Sequence, residues 1–339
     1  MKVLVGLSGG VDSSVSAFLL KEMGYNVIGV TLYMWEGSES LRSCCSLDAI
    51  NFARRTAFKL KIPHYTYDIR EDFKEKIVKY FIESYLSGRT PNPCALCNKF
   101  FKFGFLFEKA KELECSYVAT GHYARIENGL IKVSKDIKRD QSYFLVFINK
   151  ENISKIIFPL GDFEKEDVRK IAKENGFISA YRPDSQDLCF VDGDYREFLR
   201  RFVPEKKGYI VDEKGNILGE HDGFFNFTIG QRKKLKISKG KRLYVKEFIP
   251  EENLVIVAEK ERVYKKEIEV YGINWFMEPE EEFTLHVKIR QLHIPAKAKV
   301  YVKNDYARVI FEKEQFAPTP GQVAAFYKEG FLLGGGWIK

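Results

Sequence analysis

The chain has 339 residues, 45% hydrophobic and 30% charged, with 55 Lys and Arg against 47 Asp and Glu for a formal net charge of +8. That balance belongs to globular domains, and the length allows two or three separate cores. No apolar run approaches the roughly 18 residues of a membrane helix, and Met1-Lys2 leads straight into Val3–Leu7 without the pattern of a secretory leader, so no membrane partner is expected and the expected compartment is the cytoplasm.

Lys2 to Leu7 is a short apolar run that ends in glycines and predicts a strand. Val11, Val15, Phe18 and Leu19 then share a face at i, i+4, i+7 and i+8, which predicts a helix over Val11–Met23. A strand over Asn26–Tyr33, a helix over Asp48–Leu60, a strand over His64–Tyr67, helices over Phe73–Leu86 and Phe100–Glu112 and a strand over Tyr117–Thr120 continue the alternation. This order predicts a parallel sheet covered on both faces, with ligands at the carboxyl ends of its strands. Two more helices are expected over Asp162–Asn175 and Asp194–Phe202.

Beyond Pro204 the texture changes to short alternating runs: Tyr209–Val211, Leu243–Phe248, Leu254–Val257, Glu267–Val270, Leu285–Ile289, Lys297–Val302, Ala307–Phe311 and Val323–Tyr327. The expected organisation is an α/β domain over residues 1–203, a β-rich domain over 204–262 and a barrel-like β domain over 263–339. Between His221 and Pro250 there are eight Lys and Arg against two Asp and Glu, which is either a phosphate-backbone contact or a solvated hairpin.

Two segments carry chemistry. Gly6-Leu7-Ser8-Gly9-Gly10-Val11-Asp12-Ser13-Ser14 joins the first strand to the first helix. Its glycines let backbone N–H groups and the helix dipole face an anion, and Ser8, Ser13 and Ser14 offer hydroxyls to phosphate oxygens. Asp12 is out of place beside phosphates unless a cation intervenes, which points to Mg²⁺ or its water shell. The Gly-Lys-Ser/Thr ending of a Walker loop is missing, and the pattern resembles instead the ATP pyrophosphatase loop, whose family adenylates its substrates.

The second segment is Gly88-Arg89-Thr90-Pro91-Asn92-Pro93-Cys94-Ala95-Leu96-Cys97-Asn98. Asn98 is placed to cap a helix starting at Lys99 or Phe100, which would lower the pKa of a thiol there. Cys189 lies far away in the polar run Arg182 to Phe190. From spacing, Cys94, Cys97 and Cys189 are open to four readings: half of a structural zinc site, a redox pair, a sulfur carrier with its resolving thiol, or three ligands of an iron–sulfur cluster. Cys115 reads as a packing residue, and Cys44-Cys45 as a loop pair without chemistry. The aromatics from Phe100 to Phe107 read as core, with a wall for a flipped base as the other reading.

These segments, with Ala119-Thr120-Gly121-His122-Tyr123, Asp140-Gln141-Ser142-Tyr143-Phe144-Leu145, Asp184-Ser185 through Cys189-Phe190, Phe227-Thr228-Ile229-Gly230-Gln231-Arg232-Lys233 and Thr319-Pro320-Gly321-Gln322, resemble the tRNA-specific 2-thiouridylase family over almost the whole chain. The resemblance implies an adenine-nucleotide-hydrolase-like α/β domain followed by two β-rich domains. It implies ATP-dependent 2-thiolation of the wobble uridine of tRNA (the Lys, Glu and Gln type) by adenylation of O2 and sulfur attack at C2. It makes Cys97 the nucleophile and Cys189 the persulfide carrier that later closes a disulfide with Cys97. It assigns Gly6, Leu7, Ser8, Gly9, Gly10, Val11, Asp12, Ser13, Leu32 and Gly121 to ATP, and Asn92, Pro93 and Cys94 to the target base. His122, Arg139, Asp140, Gln141, Arg290, Gln291 and Gln322 match tRNA-contacting positions. The implied sulfur source is a cysteine desulfurase, a sulfur relay protein or hydrosulfide.

The chain departs from the family at three places. Cys94 stands where many members have aspartate, and with Cys97 and Cys189 it forms a candidate four-iron cluster site fed by hydrosulfide. Lys234 and Lys236 replace glycines, and Gln291 follows Arg290 where tyrosine is usual. Two other functions stay open: a different ATP pyrophosphatase, such as an amidotransferase-linked synthetase or a tRNA lysidine synthetase, and a non-catalytic RNA-binding protein with a structural metal.

Overall fold

The computed structural model describes residues 1–36, 47–182, 188–235, 237 and 242–339. Cys44 and Cys45, the Asp184-Ser185 motif, Lys236 and Lys239–Lys241 of the basic stretch lie outside the described residues. The chain divides into two compact units, one of Met1–Val78, Pro93–Gly193 and Glu329–Leu333, the other of Lys79–Asn92, Asp194–Lys328 and Gly334–Lys339. No helix among the described residues is long and apolar enough to cross a membrane.

The first unit is built on β1 (Lys2–Gly6), α1 (Val11–Glu22), β2 (Asn26–Tyr33), α2 (Leu47–Leu60), β3 (His64–Asp68) and β4 (Tyr117–Ala119). Val3, Leu4 and Val5 of β1 are all fully buried, as a central strand covered on both faces requires. On one face Val3 and Val5 pack with Val11, Val15 and Leu20 of α1 and with Ala53 and Ala57 of α2. The antiparallel hairpin β5 (Ala124–Glu127) and β6 (Leu130–Val133) is an element the sequence reading missed. Its turn, Asn128-Gly129, has positive φ at both residues, and an Asn-Gly pair between alternating runs is the signal that could have found it. Phe331 and Leu332 add to the hairpin opposite Lys132 and Ile131. With β7 (Ile156–Ile157) the main sheet runs β3-β2-β1-β4-β7, parallel throughout.

The helix around the cysteine pair is longer than its sequence pattern suggests. It begins at Pro93 rather than Phe100, as Pro93–Cys97, a π-helical stretch Asn98–Phe105 and Leu106–Glu112 in unbroken succession. Proline suits a first helical position because no N–H is needed there. The wide turn is admitted by Gly104, where a Cβ would lie 2.7 Å from the Lys99 carbonyl oxygen. Asn98 is therefore inside the helix and not its cap; it is buried, and its side-chain amide donates to the Phe144 carbonyl oxygen at 3.0 Å. Phe101 and Phe103 are buried as core residues, while Phe100 is exposed.

The second unit holds β8 (Gly208–Asp212), β9 (Ile217–His221), β10 (Leu243–Ile249) and β11 (Leu254–Glu259) in the order β10-β11-β8-β9, with only the β8–β11 pair parallel. Ile210, Phe224, Phe227, Val245 and Val257 form its core. β12 (Tyr264–Trp275), β13 (Glu282–Lys288), β14 (Ala296–Lys303), β15 (Tyr306–Phe316), β16 (Val323–Lys328) and the Gly334–Ile338 part of β17 (Phe331–Ile338) form an antiparallel barrel, closed where Val270 pairs with Ile338 and Trp275 with Gly334. Closure leaves no open sheet edge. β17 was not foreseen because its glycine run hides the alternation. Those glycines serve the close strand approach: a Cβ on Gly334 or Gly336 would lie 2.6 Å from the Asn274 or Tyr271 carbonyl oxygen.

Candidate nucleotide and thiol site

The turn between β1 and α1 is fastened by its own side chains. Gly9 has φ +70°, and a Cβ there would lie 2.2 Å from the Ala49 carbonyl oxygen of α2, so only glycine fits. The Ser13 and Ser14 hydroxyls donate to the Gly10 carbonyl oxygen at 3.1 and 2.9 Å, and the Ser8 N–H donates to Ser13 Oγ at 3.1 Å. Ser14 is fully buried and also bonds Thr56 and Ser179, so it shapes the loop and is not presented to a phosphate as its sequence position suggested. Gly10 caps α1 without a side-chain bond, and its helix dipole meets whatever sits over the turn. Gly121 closes in from β4: a Cβ there would meet the Asp12 carbonyl carbon and the Ser13 nitrogen at 2.9 Å. Leu7, Val11 and Leu32 are buried apolar supports.

Beneath the loop, the Thr31 hydroxyl donates to the Leu7 carbonyl oxygen at 2.7 Å and faces His64 Nε2 at 2.8 Å. With its proton committed to Leu7, Thr31 Oγ1 accepts from His64, which fixes the proton on Nε2. Burial, helped by Arg54, lowers the His64 pKa from 6.5 to about 4.

The cation beside Asp12 is one the sequence reading missed. Lys165 Nζ donates to both Asp12 carboxylate oxygens at 2.7 and 2.8 Å, and the Tyr123 hydroxyl donates to Oδ1 at 2.9 Å. Lys165 opens the helix Lys165–Glu174, and it is 8% exposed. Nothing local announces it, since the partner lies 153 residues away and a lysine in a first turn opposes the helix dipole. Its backbone N–H is held by Asp136 Oδ2 at 3.2 Å. A second basic side chain reaches the loop: Arg182 Nη1 donates to the Gly9 carbonyl oxygen at 3.0 Å, with its guanidinium 4.5 Å from the Phe52 ring centre.

Cys94 is the second residue of the helix Pro93–Cys97 and half-buried, while Cys97 ends that helix and is buried. Three residues apart, the two thiols share one helix face. Helix-terminal placement therefore falls to Cys94, not to Cys97 as expected. Cys189 is half-buried, and the next residue, Phe190, sets its ring edge-on to Phe73 and Trp35, with centroids 5.7 and 6.3 Å apart. Cys94, Cys97, Cys115 and Cys189 are not in disulfides. Among the described residues no three His, Cys, Asp or Glu side chains gather to hold a metal ion. Burial raises the Cys115 thiol pKa, consistent with packing.

Several positions matched to tRNA contacts are occupied within the protein. His122 is buried between Phe103 and Phe158 with Nδ1 2.8 Å from Thr120 Oγ1, and burial pushes its pKa well below the usual histidine value. The buried Asp140 carboxylate accepts from the backbone N–H groups of Ser134 and Ser142 and from the Ser142 hydroxyl. Gln141 Oε1 accepts from the Tyr123 N–H at 3.0 Å, whereas Arg139 is exposed. In the second unit, Arg290 Nη2 donates to the carbonyl oxygens of Ile229 and Ala317 at 3.2 and 2.5 Å and to the Thr319 hydroxyl. Gln291 is half-buried beside it. Gln322 Nε2 donates to the carbonyl oxygens of Thr90 and Pro91 at 3.1 and 2.9 Å, and the Thr90 N–H donates to the Pro320 carbonyl oxygen. Asn92, at the end of that segment, is buried, as is Pro93 in the first unit.

Three family models match the chain: a tRNA methyl transferase HUP domain over residues 1–193, a tRNA methyl transferase PRC-barrel domain over 196–259 and an aminomethyltransferase beta-barrel domain over 265–338. The chain is 43% identical over 353 residues to the tRNA-specific 2-thiouridylase MnmA of Clostridioides difficile (strain 630), covering 100% of this chain and 98% of that protein. It is 44% identical over 357 residues to the tRNA-specific 2-thiouridylase MnmA 1 of Caldanaerobacter subterraneus subsp. tengcongensis, covering 100% and 98%. Among solved structures, a 4-thiouridine synthetase in complex with RNA and bound ATP matches at TM-score 0.36 and 16% identity, over 59% of this chain and 50% of that one, a likeness too partial to carry an argument.

Proposed function

The chain belongs to the tRNA-specific 2-thiouridylase family, and from that premise we propose that it thiolates the wobble uridine of tRNA at the expense of ATP, in the cytoplasm. The reading is carried by one observation: the anion-binding turn, the approaching Gly121 and the thiols Cys94, Cys97 and Cys189 all belong to the same compact unit.

ATP sits over Gly6–Ser13, its phosphates facing the amino end of α1. Asp12 Oδ1 is filled by Lys165 and Tyr123, but Oδ2 accepts from Lys165 alone and would have a lone pair for the water shell of a nucleotide-bound Mg²⁺. When bound, that ion neutralises phosphate charge. Uridine O2 attacks the α-phosphorus, a P–O bond forms, and the bond to the β-phosphate breaks with release of pyrophosphate. The terminal sulfur of a Cys189 persulfide then attacks C2, and the former O2 leaves in AMP. Cys97 thiolate attacks the Cys189 sulfur, which frees 2-thiouridine and leaves a Cys97–Cys189 disulfide for an external thiol to reduce.

The sulfur enters from a persulfide-bearing protein, which hands its outer sulfur to the Cys189 thiolate and is left as a thiol, and the substrate tRNAs are those of the Lys, Glu and Gln type. Incubation of the protein with unmodified tRNA, ATP, Mg²⁺ and a persulfide donor should yield one AMP per 2-thiouridine. Cys97→Ser and Cys189→Ser should each stop thiolation while pyrophosphate is still released by adenylation. Unimpaired thiolation in both variants would move the chain to a different mechanism within the ATP pyrophosphatases.

A further inference from the structure

We propose that Lys165 is a catalytic residue of the ATP half-reaction, its ammonium contacting the pyrophosphate portion of bound ATP and stabilising the charge that develops as the bond to the α-phosphate breaks. The proposal rests on the ATP-dependent reading above and adds to it a residue from outside the loop.

The loop itself creates the need. From Gly6 to Ser14 it contains no lysine or arginine, and it carries a carboxylate, Asp12, in the first turn of α1. Helix dipole and N–H groups supply partial charge only, while breaking the α–β bond moves a full electron pair onto pyrophosphate. Among the described residues, Lys165 and Arg182 are basic side chains that bond to this turn. Arg182 spends its contact on the Gly9 carbonyl and lies against Phe52, which suits a strut. Lys165 instead places its ammonium on Asp12, one residue inside the helix terminus over which phosphates sit.

The surroundings of Lys165 are unfavourable for a merely structural lysine. It is 8% exposed and occupies the first turn of a helix, where a cation opposes the dipole. Burying an ion pair seldom adds net stability over an apolar pair of similar size, so stability alone is a weak reason to have one here. Its position is nevertheless tightly set, by Asp136 on its backbone N–H and by Tyr123, which donates to the same Asp12 oxygen. Lys165 and Tyr123 together make Asp12 a preorganised holder that keeps the ammonium beside the loop before nucleotide arrives. No proton moves in this role: the O2–P bond forms, the P–O bond to the β-phosphate breaks, and the pair departs with pyrophosphate against a fixed positive charge.

The test is tRNA-dependent exchange of labelled pyrophosphate into ATP with the sulfur donor withheld, which reads adenylation alone. Lys165→Met should lower exchange by about 100-fold or more, and Lys165→Arg should stay within about tenfold of wild type. Counter-ion and catalytic roles separate in the Asp12→Asn background, where no carboxylate needs neutralising. There Lys165→Met, or Lys165→Gln if the former does not fold, should still lower exchange by at least about tenfold and weaken inhibition by added pyrophosphate. A double variant equal to Asp12→Asn alone in both readouts would overturn the proposal and leave Lys165 a counter-ion. Wild-type protein that exchanges no pyrophosphate with tRNA present would overturn the functional reading itself, and this proposal with it.

Discussion

The glycine turn of the first unit and the segment of the second unit around Arg290 and Gln322 were both singled out from sequence, yet their polar groups are used differently. At the turn, Gly9 and Gly121 let backbone segments pack closely beside a helix terminus, and Lys165 reaches Asp12 there from far along the chain. Around the barrel, the Arg290 guanidinium and the Gln322 amide are turned onto the protein's own carbonyl oxygens. A distinctive polar residue can mark a ligand site or the fastening of a loop, and only its partners tell the two apart. In the barrel region the residues fasten Ile229, Ala317, Thr90 and Pro91.

The largest way to break this contrast is at the turn. Gly9→Ala places a methyl group against the Ala49 carbonyl in a positive-φ backbone. A displacement of the turn by about 1 Å is expected to lower ATP-dependent AMP formation by about 100-fold, against a smaller loss of thermal stability. AMP formation near the wild-type rate would mean that this turn does not hold the phosphates. Arg290→Met should act in the opposite sense. It strips donors from two carbonyl oxygens and a hydroxyl in a half-buried place, for an expected destabilisation of about 2–4 kcal/mol in urea unfolding. Unchanged stability with a raised KM for tRNA would instead make Arg290 an RNA contact.

The legible parts of the chain were those whose cause is local. The glycine turn declares itself because positive φ and close approach exclude other residues, and β2 was placed at Asn26–Tyr33 because a buried strand is a continuous apolar run. The start of the cysteine helix was misplaced because its first turn lacks an apolar stripe and begins with Pro93, a residue that reads as loop. The Asp12–Lys165 pair could not be read at all, since neither residue's neighbours mention the other. His122 is ambiguous for a related reason: a histidine after a glycine at a strand end is as consistent with its place between Phe103 and Phe158 as with an open site.

Gln322→Ala sharpens the comparison more gently. Two hydrogen bonds to the Thr90-Pro91 segment would be lost, with the Thr90–Pro320 backbone bond retained, for an expected loss of about 1–2 kcal/mol. If Gln322 fastens that segment, protease cleavage between Arg89 and Asn92 should rise in the variant. If it contacts RNA, tRNA binding should weaken with the segment unchanged.

The smallest effect compares a histidine from each region. His64 under the glycine turn and His293 in the second unit both have pKa values lowered chiefly by burial, His64 to about 4. Below about pH 6.5 the unfolded chain takes up a proton that folded His64 refuses until about pH 4, so its contribution to stability is present above 6.5 and is lost as pH falls across that interval. Because His64 is only partly shielded from solvent, the loss should be on the order of 1 kcal/mol. His64→Gln should therefore flatten the decline of stability between pH 6.5 and 4, and His293→Gln, whose Nε2 already engages Gln315 Oε1 at 2.9 Å, should flatten it less. The glutamine at 64 can still donate to Thr31, so the Thr31–Leu7 bond beneath the turn should persist and AMP formation at neutral pH should be nearly unchanged. Equal slopes in wild type and His64→Gln would show that the histidine is reached by water, and that the floor of the glycine turn is more open than its neighbours indicate.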